Sequence, residues 1–222
     1  MSGAKEAILA RIRAALDADT PGSAAGEILQ RRFSYEEVQQ RLNEPREQLR
    51  PALSGDKLEL LVSQMEGVQM SVSQLQTSGE IVDQVNWYLE SEGLSGCVSV
   101  APALRKLAWS ADTHFGAATS KEVASVTDCF GAVAETGSVV LASSSESPIT
   151  LGFLPDTHVV VLKSSDVVGH SNDIWPLLRE LPELPRGVNF VTGPSRTGDI
   201  EQTIEIGAHG PRRMHVLLIM NE

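Results

Sequence analysis

From residue 68 onward, short strand-like runs alternate with segments of helical period, and this alternation constrains the fold more than any other feature. Val68, Met70 and Val72 are separated by polar residues, which is the period of a strand. Because strands alternate with helices, the sequence predicts an α/β domain with a largely parallel sheet. Six later apolar runs are predicted to be strands: 97–101, 124–127, 138–142, 158–162, 188–192 and 214–220.

The first helix of this alternating region has a clear beginning and end. Thr77 stands three residues before Glu80, which is the spacing of a capping box, and Gly93 ends the pattern. A later helix is predicted at residues 172–181 with Ser171 as its N-cap, although Pro176 inside that range favours a later start. The buried stripe of the first helix is predicted to consist of Ile81, Val85, Tyr88 and Leu89.

The first 66 residues show helical periodicity instead. An apolar stripe runs through residues 8–16, and residues 34–42 begin with a capping-box spacing. A third helix ends at Gly67 and has an apolar stripe made of Leu58, Leu61, Val62 and Met65. We therefore predict an N-terminal helical segment, residues 1–66, followed by an α/β domain, residues 67–222.

The charge of the chain argues against one class of function. Its 222 residues include 29 acidic and 18 basic side chains, a net charge of −11. A nucleic-acid groove needs a basic field that displaces counterions from phosphate groups. No nucleic-acid partner is therefore expected.

Apolar runs in the chain are short. None approaches the roughly 18 residues needed to span a bilayer, so no membrane span is expected. Lys5, Glu6, Arg11 and Arg13 interrupt the apolar residues at the start of the chain, where a secretory signal would need an unbroken apolar stretch. We therefore predict a cytoplasmic protein.

Residues that hold metals and cofactors are sparse. Cys97 and Cys129 are too few for a four-thiolate iron–sulfur or zinc site. His114 and His158 have no partner at metal-ligand spacing, and no glycine-rich dinucleotide fingerprint follows an early strand. We expect neither a metal nor a cofactor in this chain.

The most informative motif is Gly-Pro-Ser-Arg-Thr-Gly-Asp-Ile-Glu at residues 193–201, directly after the predicted strand 188–192. A short helix is predicted after this loop, at the kind of sheet corner where open α/β folds bind ligands. Free backbone N–H groups at a helix start favour an anion, and the arginine adds a bidentate partner for carboxylate or phosphate. Alternatively, the hydroxyl residues only cap the helix and the arginine pairs with the acidic residues. The candidate ligand-binding residues are Gly193, Pro194, Ser195, Arg196, Thr197, Asp199 and Glu201.

A second motif, His-Gly-Pro-Arg-Arg, occupies residues 209–213. After residue 66 the chain has nine basic residues against eighteen acidic ones, and three of the nine are Arg196, Arg212 and Arg213. An acidic domain that gathers its arginines beside two glycine–proline turns is predicted to bind an anion. The alternative is that these arginines are solvated or paired with carboxylates. The motif adds three candidate ligand-binding residues: His209, Gly210 and Arg212.

A third motif, Ala-Glu-Thr-Gly at residues 134–137, precedes the predicted strand 138–142. A carboxylate at a sharp turn can serve as a nucleophile or a general base. Glu135 is therefore the candidate catalytic residue, with Thr136 and Gly137 beside it as candidate ligand-binding residues. The alternative is an ordinary turn in which Gly137 supplies an unusual dihedral and Thr136 bonds locally.

These three motifs resemble those of the lactate-utilisation protein C family, the LUD-domain proteins. The two C-terminal motifs, residues 193–201 and 209–213, carry the resemblance most specifically, and the motif at 134–137 is similar to the family's middle motif. The likeness extends over most of the chain and is sharpest from Asp128 to the end.

The resemblance implies a fold similar to the phosphosugar-isomerase and CoA-transferase superfamily, a three-layer α/β sandwich. It also implies a role beside iron–sulfur partner proteins in the oxidation of L-lactate to pyruvate. Because the chain lacks a thiolate cluster and a dinucleotide loop, we interpret it as an accessory subunit that holds either a small carboxylate or phosphate anion or a partner protein. The alternative is a stand-alone enzyme of this superfamily, with Glu135 as the nucleophile of an acyl or CoA transfer or as the base of a sugar-phosphate isomerisation.

Overall fold

A computed structural model of the chain describes Gln40 and residues 50–109, 112–119, 121–198 and 204–221. The helices predicted at residues 8–16 and 34–42 lie outside the described residues, except for Gln40. Arg50–Glu222 forms one compact unit. The predicted domain division between residues 66 and 67 stays a prediction.

Three α-helices and twelve strands make up the described part of this unit, joined by short 3-10 turns. The helices are α1 (Lys57–Gly67), α2 (Ile81–Ser91) and α3 (Ile174–Arg179). The strands are β1 (Met70–Leu75), β2 (Val98–Val100), β3 (Thr113–Phe115), β4 (Ala124–Asp128), β5 (Gly131–Val133), β6 (Ser138–Ala142), β7 (Thr157–Lys163), β8 (Val167–Val168), β9 (Val188–Val191), β10 (Arg196–Gly198), β11 (Ile204–Ile206) and β12 (Arg213–Ile219).

The central sheet has six strands, and every neighbouring pair is parallel. Their order is β1-β12-β7-β4-β2-β3, so the first strand of the unit pairs with the last. In this pair Met70 lies opposite Met214 and Leu75 lies opposite Ile219. The predicted α/β domain with a largely parallel sheet is confirmed.

Alternate residues of the central strands face opposite sides of the sheet, as the two-residue period of a strand requires. In β7, Val159 and Val161 share a core cluster with α2, whereas Val160 and Leu162 share another with α1. Burying each of these side chains contributes about 1.5–3 kcal/mol, so both faces of the sheet stabilise the fold. The stripe predicted for α2 is the one that is buried: Ile81, Val85, Tyr88 and Leu89.

On the side opposite α2, the central sheet is covered by α1 and by a second sheet of order β8-β5-β6-β9. Leu61 and Met65 of α1 are fully buried there. On the far face of the second sheet, Ile174 and Leu178 of α3 pack against it. The central sheet is thus the middle of a three-layer α/β sandwich, as the resemblance implied.

The second sheet is a feature that the sequence does not predict. Its neighbours β5 and β6, and likewise β6 and β9, pair antiparallel. Only residues 134–137 join β5 to β6, far fewer than the dozen or so that a parallel crossover needs. The two strands therefore form a hairpin, and Gly137 in its turn has a φ of +66°.

The helix predicted at residues 172–181 is shorter and begins later. It is α3, and a 3-10 turn over Ser171–Asp173 precedes it, so that Asp173 rather than Ser171 occupies the N-cap position. Pro176 is then the third helical residue, where its missing N–H costs no helical hydrogen bond. The hydroxyl of Ser171 is left to bond elsewhere, as described below.

Candidate functional site

The two C-terminal motifs lie against each other. The backbone N–H of Ser195 donates to the carbonyl oxygen of Pro211 at 2.8 Å, and the backbone N–H of His209 donates to Ser195 Oγ at 3.3 Å. A Cβ added to Gly210 would lie 3.3 Å from the Cβ of Ser195. Ser195 of the first motif and His209 and Gly210 of the second are therefore brought together.

The short helix predicted after this loop is not found among the described residues 193–198 and 204–206. Residues 196–198 are β10, which pairs antiparallel with β11 at residues 204–206. Thr197 lies half-buried in this ribbon opposite Glu205, and Asp199 and Glu201 lie outside the described residues. Within the described residues 193–198, no helix start supplies free N–H groups to an anion, so side chains and the turn at Gly193 are the groups available there.

The loop that begins at Gly193 is anchored on the segment between α1 and β1. Gly193 has a φ of +90°, and a Cβ there would lie 2.5 Å from the carbonyl oxygen of Val68. The same carbonyl accepts a hydrogen bond from Arg196 Nη2 at 3.1 Å. Only glycine fits position 193, because both the backbone dihedral and the close approach exclude a side chain.

Behind this loop lies a cleft of ≈ 440 Å³, which we call the Arg196 cleft. Its wall includes Ser195, Arg196 and His209, together with Phe153 and residues of β9. None of its described lining residues is an aspartate or a glutamate. In a chain with a net charge of −11, such a lining favours an anion over a cation.

Arg212 does not line the Arg196 cleft. It lines a separate cleft of ≈ 390 Å³, the Arg212 cleft, and Pro194 lies on that side of the loop. The backbone N–H groups of Arg212 and Arg213 both donate to the carbonyl oxygen of Asp156, at 2.7 and 3.0 Å. The loop therefore divides the candidate arginines between two clefts. The sequence pattern, in contrast, groups Arg196 and Arg212 as candidates for anion binding.

The two C-terminal motifs lie at the end of the central sheet where its parallel strands begin. Met70 and Arg213 are the first residues of β1 and β12, and both line the Arg212 cleft. The carboxyl edge, where open α/β folds usually bind ligands, has a different cleft of ≈ 940 Å³ beside Asp128 and Cys129. Burial raises the pKa of Asp128. None of the candidate residues lines that cleft.

Glu135 is held by hydrogen bonds on both carboxylate oxygens. His170 Nδ1 donates to Oε2 at 2.7 Å, and Ser171 donates to Oε1 through its backbone N–H at 2.8 Å and its hydroxyl at 2.7 Å. The hydrogen bond from His170, followed by those from Ser171, lowers the pKa of Glu135 to about 2. A carboxylate this well stabilised is a weak base at neutral pH, and Glu135 does not line the Arg196 cleft.

A chain of hydroxyl groups connects the neighbours of Glu135 with the Arg196 cleft. Thr136 Oγ1 and Ser138 Oγ are 2.7 Å apart, and Ser138 Oγ and Thr192 Oγ1 are 2.6 Å apart. Thr192 lines the Arg196 cleft. The middle motif is thus linked to the C-terminal motifs through a chain of hydroxyl groups rather than through the carboxylate of Glu135.

Gly137 has a packing role in the same turn. A Cβ there would lie 2.7 Å from the backbone of both Gln64 and Met65 in the last turns of α1. Its φ of +66° and this close approach together require glycine. The turn is thereby fixed against α1.

Sequence reasoning missed the residues that hold the motifs in place. His170 and Ser171 bind Glu135 from 35 and 36 residues away along the chain, and Thr192 meets Ser138 from 54 residues away. Each is a single polar residue beside a strand or helix end, where hydrophobic periodicity carries no signal.

A comparison with known families decides where this fold and these motifs belong. The LUD domain family matches residues 58–219, which is most of the chain. The chain belongs to the LUD domain family. The matched range contains all three motifs and extends from α1 to the end of β12.

Individual relatives match shorter stretches of this LUD domain. Lactate utilization protein C of Anoxybacillus flavithermus is 36% identical over 87 residues, which is 39% of each chain. The protein of the same name from Bacillus subtilis is 30% identical over 117 residues, covering 50% of this chain and 49% of the relative. The chain therefore spans about two fifths to one half of the length of these relatives.

A solved structure shares the fold. The crystal structure of a DUF162 family protein from Deinococcus radiodurans superposes with a TM-score of 0.57 at 18% sequence identity. The superposition covers 76% of this chain and 99% of the other. At this identity the likeness concerns the fold of the LUD domain only.

The two thiols of this LUD domain lie at opposite ends of neighbouring strands. Cys97 precedes β2 and accepts a hydrogen bond through its carbonyl from the N–H of Val123 at 3.0 Å. The five residues of β4 lie between Val123 and Cys129, so six steps of ~3.3 Å place these two residues about 20 Å apart. The two thiolates cannot ligate one metal ion together in this fold.

Two further findings concern the described residues alone. No group of three or more histidine, cysteine, aspartate or glutamate side chains is placed there to hold a metal ion. Among the same residues, no helix has the length and apolar character that crossing a membrane requires.

Proposed function

We propose that this LUD domain is an accessory component of an L-lactate-oxidising system that binds a small carboxylate or phosphate anion in the Arg196 cleft. In this proposal iron–sulfur partner proteins carry the electrons, and the chain works in the cytoplasm without a cofactor of its own. The observation that carries the proposal is the lining of the Arg196 cleft, which offers a guanidinium and an imidazole and no described carboxylate. The names of the lactate-utilization relatives supply the metabolic context.

The chemistry of lactate oxidation supports an accessory role. Taking a hydride from lactate requires an electron acceptor, and electron acceptors in proteins are cofactors rather than side chains. The two thiols of the chain are about 20 Å apart, and the sequence has no dinucleotide fingerprint. The acceptor is therefore expected on a partner protein.

The contacts of Glu135 favour a positioning role over catalysis. Its carboxylate accepts three hydrogen bonds from His170 and Ser171, and it holds the turn that leads to the hydroxyl chain ending at Thr192. These hydrogen bonds stabilise the charged carboxylate and so weaken it as a nucleophile or a base. We therefore favour the accessory reading over the stand-alone enzyme.

Anion binding is tested by calorimetry with L-lactate, pyruvate and inorganic phosphate on the full chain and on Arg196→Ala. The exposed guanidinium is worth about 1–2 kcal/mol to a bound anion, so we expect a roughly five- to thirtyfold loss of affinity. Arg179→Ala removes an equally exposed arginine from the last turn of α3 and should bind like the wild type. Equal affinities for wild type and Arg196→Ala would refute the assigned site.

The accessory role is tested with the purified chain, L-lactate and a soluble electron acceptor. We expect no pyruvate from the chain alone, and pyruvate formation after iron–sulfur proteins that co-purify with it are added. Turnover by the chain alone would contradict the accessory reading and would support an enzyme in its own right.

A further inference from the structure

The Arg212 cleft has a polar floor made by β1, β12 and α2. The register of the parallel pair places Ser71 beside His215, and Ser71 Oγ lies 2.7 Å from His215 Nδ1. The ring of Tyr88, from α2, stacks on the imidazole with ring centroids 4.1 Å apart and an interplanar angle of 7°. The Ser71 side chain also acts on the Tyr88 phenol, where it opposes the larger effect of burial on the phenol pKa.

The protonation of His215 and Tyr88 follows from their burial, whereas Ser71 is exposed. His215 is 2% exposed, and burial lowers its pKa to about 4, so the imidazole is neutral at pH 7. Burial also raises the pKa of Tyr88, and its phenol stays protonated. Because an N–H donor is rarely left orphaned inside a protein, the buried and unpartnered Nε2 of His215 is the bare nitrogen and Nδ1 carries the hydrogen.

Of the polar hydrogens on His215, Ser71 and Tyr88, one has no acceptor among these three residues. Nδ1 of His215, the Ser71 hydroxyl and the Tyr88 hydroxyl carry one hydrogen each, and the Nδ1 hydrogen is used in the His215–Ser71 hydrogen bond. Whichever way the hydroxyl groups turn, one hydroxyl hydrogen has no acceptor among the three. Ser71 and Tyr88 both line the cleft, so this hydrogen is available to an acceptor inside it.

The charge above this floor comes from Arg212. Arg213 Nε forms an ion pair with Glu92 Oε2 at 3.1 Å, and these two lining groups balance each other. Within the part of the chain that the structure describes, no ion pair to Arg212 is found. Its side-chain stem passes so close to Gly207 that a Cβ there would lie 2.1 Å from Arg212 Cγ, which fixes the direction of the stem.

From this geometry we propose that the Arg212 cleft is a second oxyanion site, for a carboxylate or a phosphate group. Arg212 supplies the positive charge, and the Ser71–Tyr88 pair donates a hydrogen bond to the anion. The buried imidazole of His215 does not touch the anion and acts as a positioning residue, which orients Ser71. The site is independent of the proposed function, since Arg196 lines the other cleft.

The test is a titration of the full ¹⁵N-labelled chain with inorganic phosphate, and separately with L-lactate, followed by NMR at the ring nitrogens of His215. We expect a saturable shift of these signals, with an Nδ1–H imidazole before and after binding. Arg212→Ala and Ser71→Ala should each weaken this binding about tenfold. Arg212 and Ser71 are both exposed, so both variants are expected to keep the fold.

Two control variants separate this site from its surroundings. Ser73→Ala changes the next serine on the same face of β1, which is bonded to Gln84 at 3.0 Å and does not line the cleft, and it should titrate like the wild type. Arg179→Ala, which removes an exposed arginine of α3 that lines neither cleft, should also leave the His215 shift intact. The proposal is overturned if neither anion moves the His215 signals, or if Arg212→Ala titrates like the wild type.

Discussion

At the scale of single residues, Glu135 illustrates how a residue that looks catalytic in a sequence can be an anchor in the fold. Its carboxylate joins the β5–β6 turn to His170 and Ser171, three residues before α3 begins. The hydrogen bonds that lower its pKa to about 2 also stabilise the folded state, because the unfolded chain offers no such partners.

Replacing Glu135 with glutamine should therefore destabilise the protein by about 1–3 kcal/mol at pH 7, the scale of charge-assisted hydrogen bonds. The folded-state pKa is depressed, so the contribution is present above the unfolded pKa of about 4.3 and is lost as the pH falls towards 2. Urea unfolding of the wild type and of Glu135→Gln at pH 7, 4 and 3 measures both effects. The two proteins should converge at low pH.

Glu180→Gln is the matched control, since Glu180 is exposed just after α3. It should change stability by less than about 0.5 kcal/mol. A Glu135→Gln protein as stable as this control at pH 7 would show that the carboxylate is not an anchor.

At the scale of elements, the decisive unit is the loop and ribbon from Gly193 through β10 and β11. It is not a helix start. Its position depends on the close approach of Gly193 to Val68 and on the hydrogen bond between Ser195 and Pro211. The loop therefore shapes both clefts at once, because Arg196 lies on one side of it and Pro194 on the other.

Gly193→Ala should consequently displace the whole loop. The new Cβ meets the Val68 carbonyl at 2.5 Å and requires a strained φ of +90°. We expect a loss of more than about 1 kcal/mol in stability and a weaker affinity of the Arg196 cleft for phosphate. Gly198→Ala is the internal comparison, since its Cβ meets nothing within 4 Å and its backbone is ordinary extended strand. Equal behaviour of the two variants in urea unfolding and in phosphate titration would contradict the role given to Gly193.

At the scale of the whole molecule, the sequence predicts what local periodicity encodes and misses what distant pairing creates. The buried stripe of α2 and the alternation of Met70 and Val72 in β1 are readable because each lies within one element. The pairing of Ser71 with His215 is not readable, since it joins residues 144 positions apart through the order of the strands. The second sheet escaped prediction for the same reason: an apolar run does not specify its partner strand or its direction.

The buried histidines of the central sheet make a prediction for the whole fold. His158 is fully buried and His215 is 2% exposed, and burial lowers both pKa values to about 4. Between pH 6.5 and 4 the unfolded chain takes up protons that the folded chain does not, so stability falls as the pH falls. Each histidine should therefore lower the free energy of unfolding by about 2 kcal/mol at pH 5 relative to pH 7. In urea unfolding, His158→Gln should therefore lose less stability between pH 7 and pH 5 than the wild type. An equal loss in the two proteins would contradict the assignment of the pH dependence to buried histidines.

The central claim, a role in lactate oxidation that depends on the Arg196 cleft, is tested most directly by growth. The gene is deleted in the source organism and restored as wild type, Arg196→Ala or Arg179→Ala, and growth on L-lactate as sole carbon source is compared with growth on pyruvate. We predict that the deletion stops growth on lactate but not on pyruvate, that wild type and Arg179→Ala restore it, and that Arg196→Ala restores it poorly. Normal growth of the deletion strain on lactate would contradict the account.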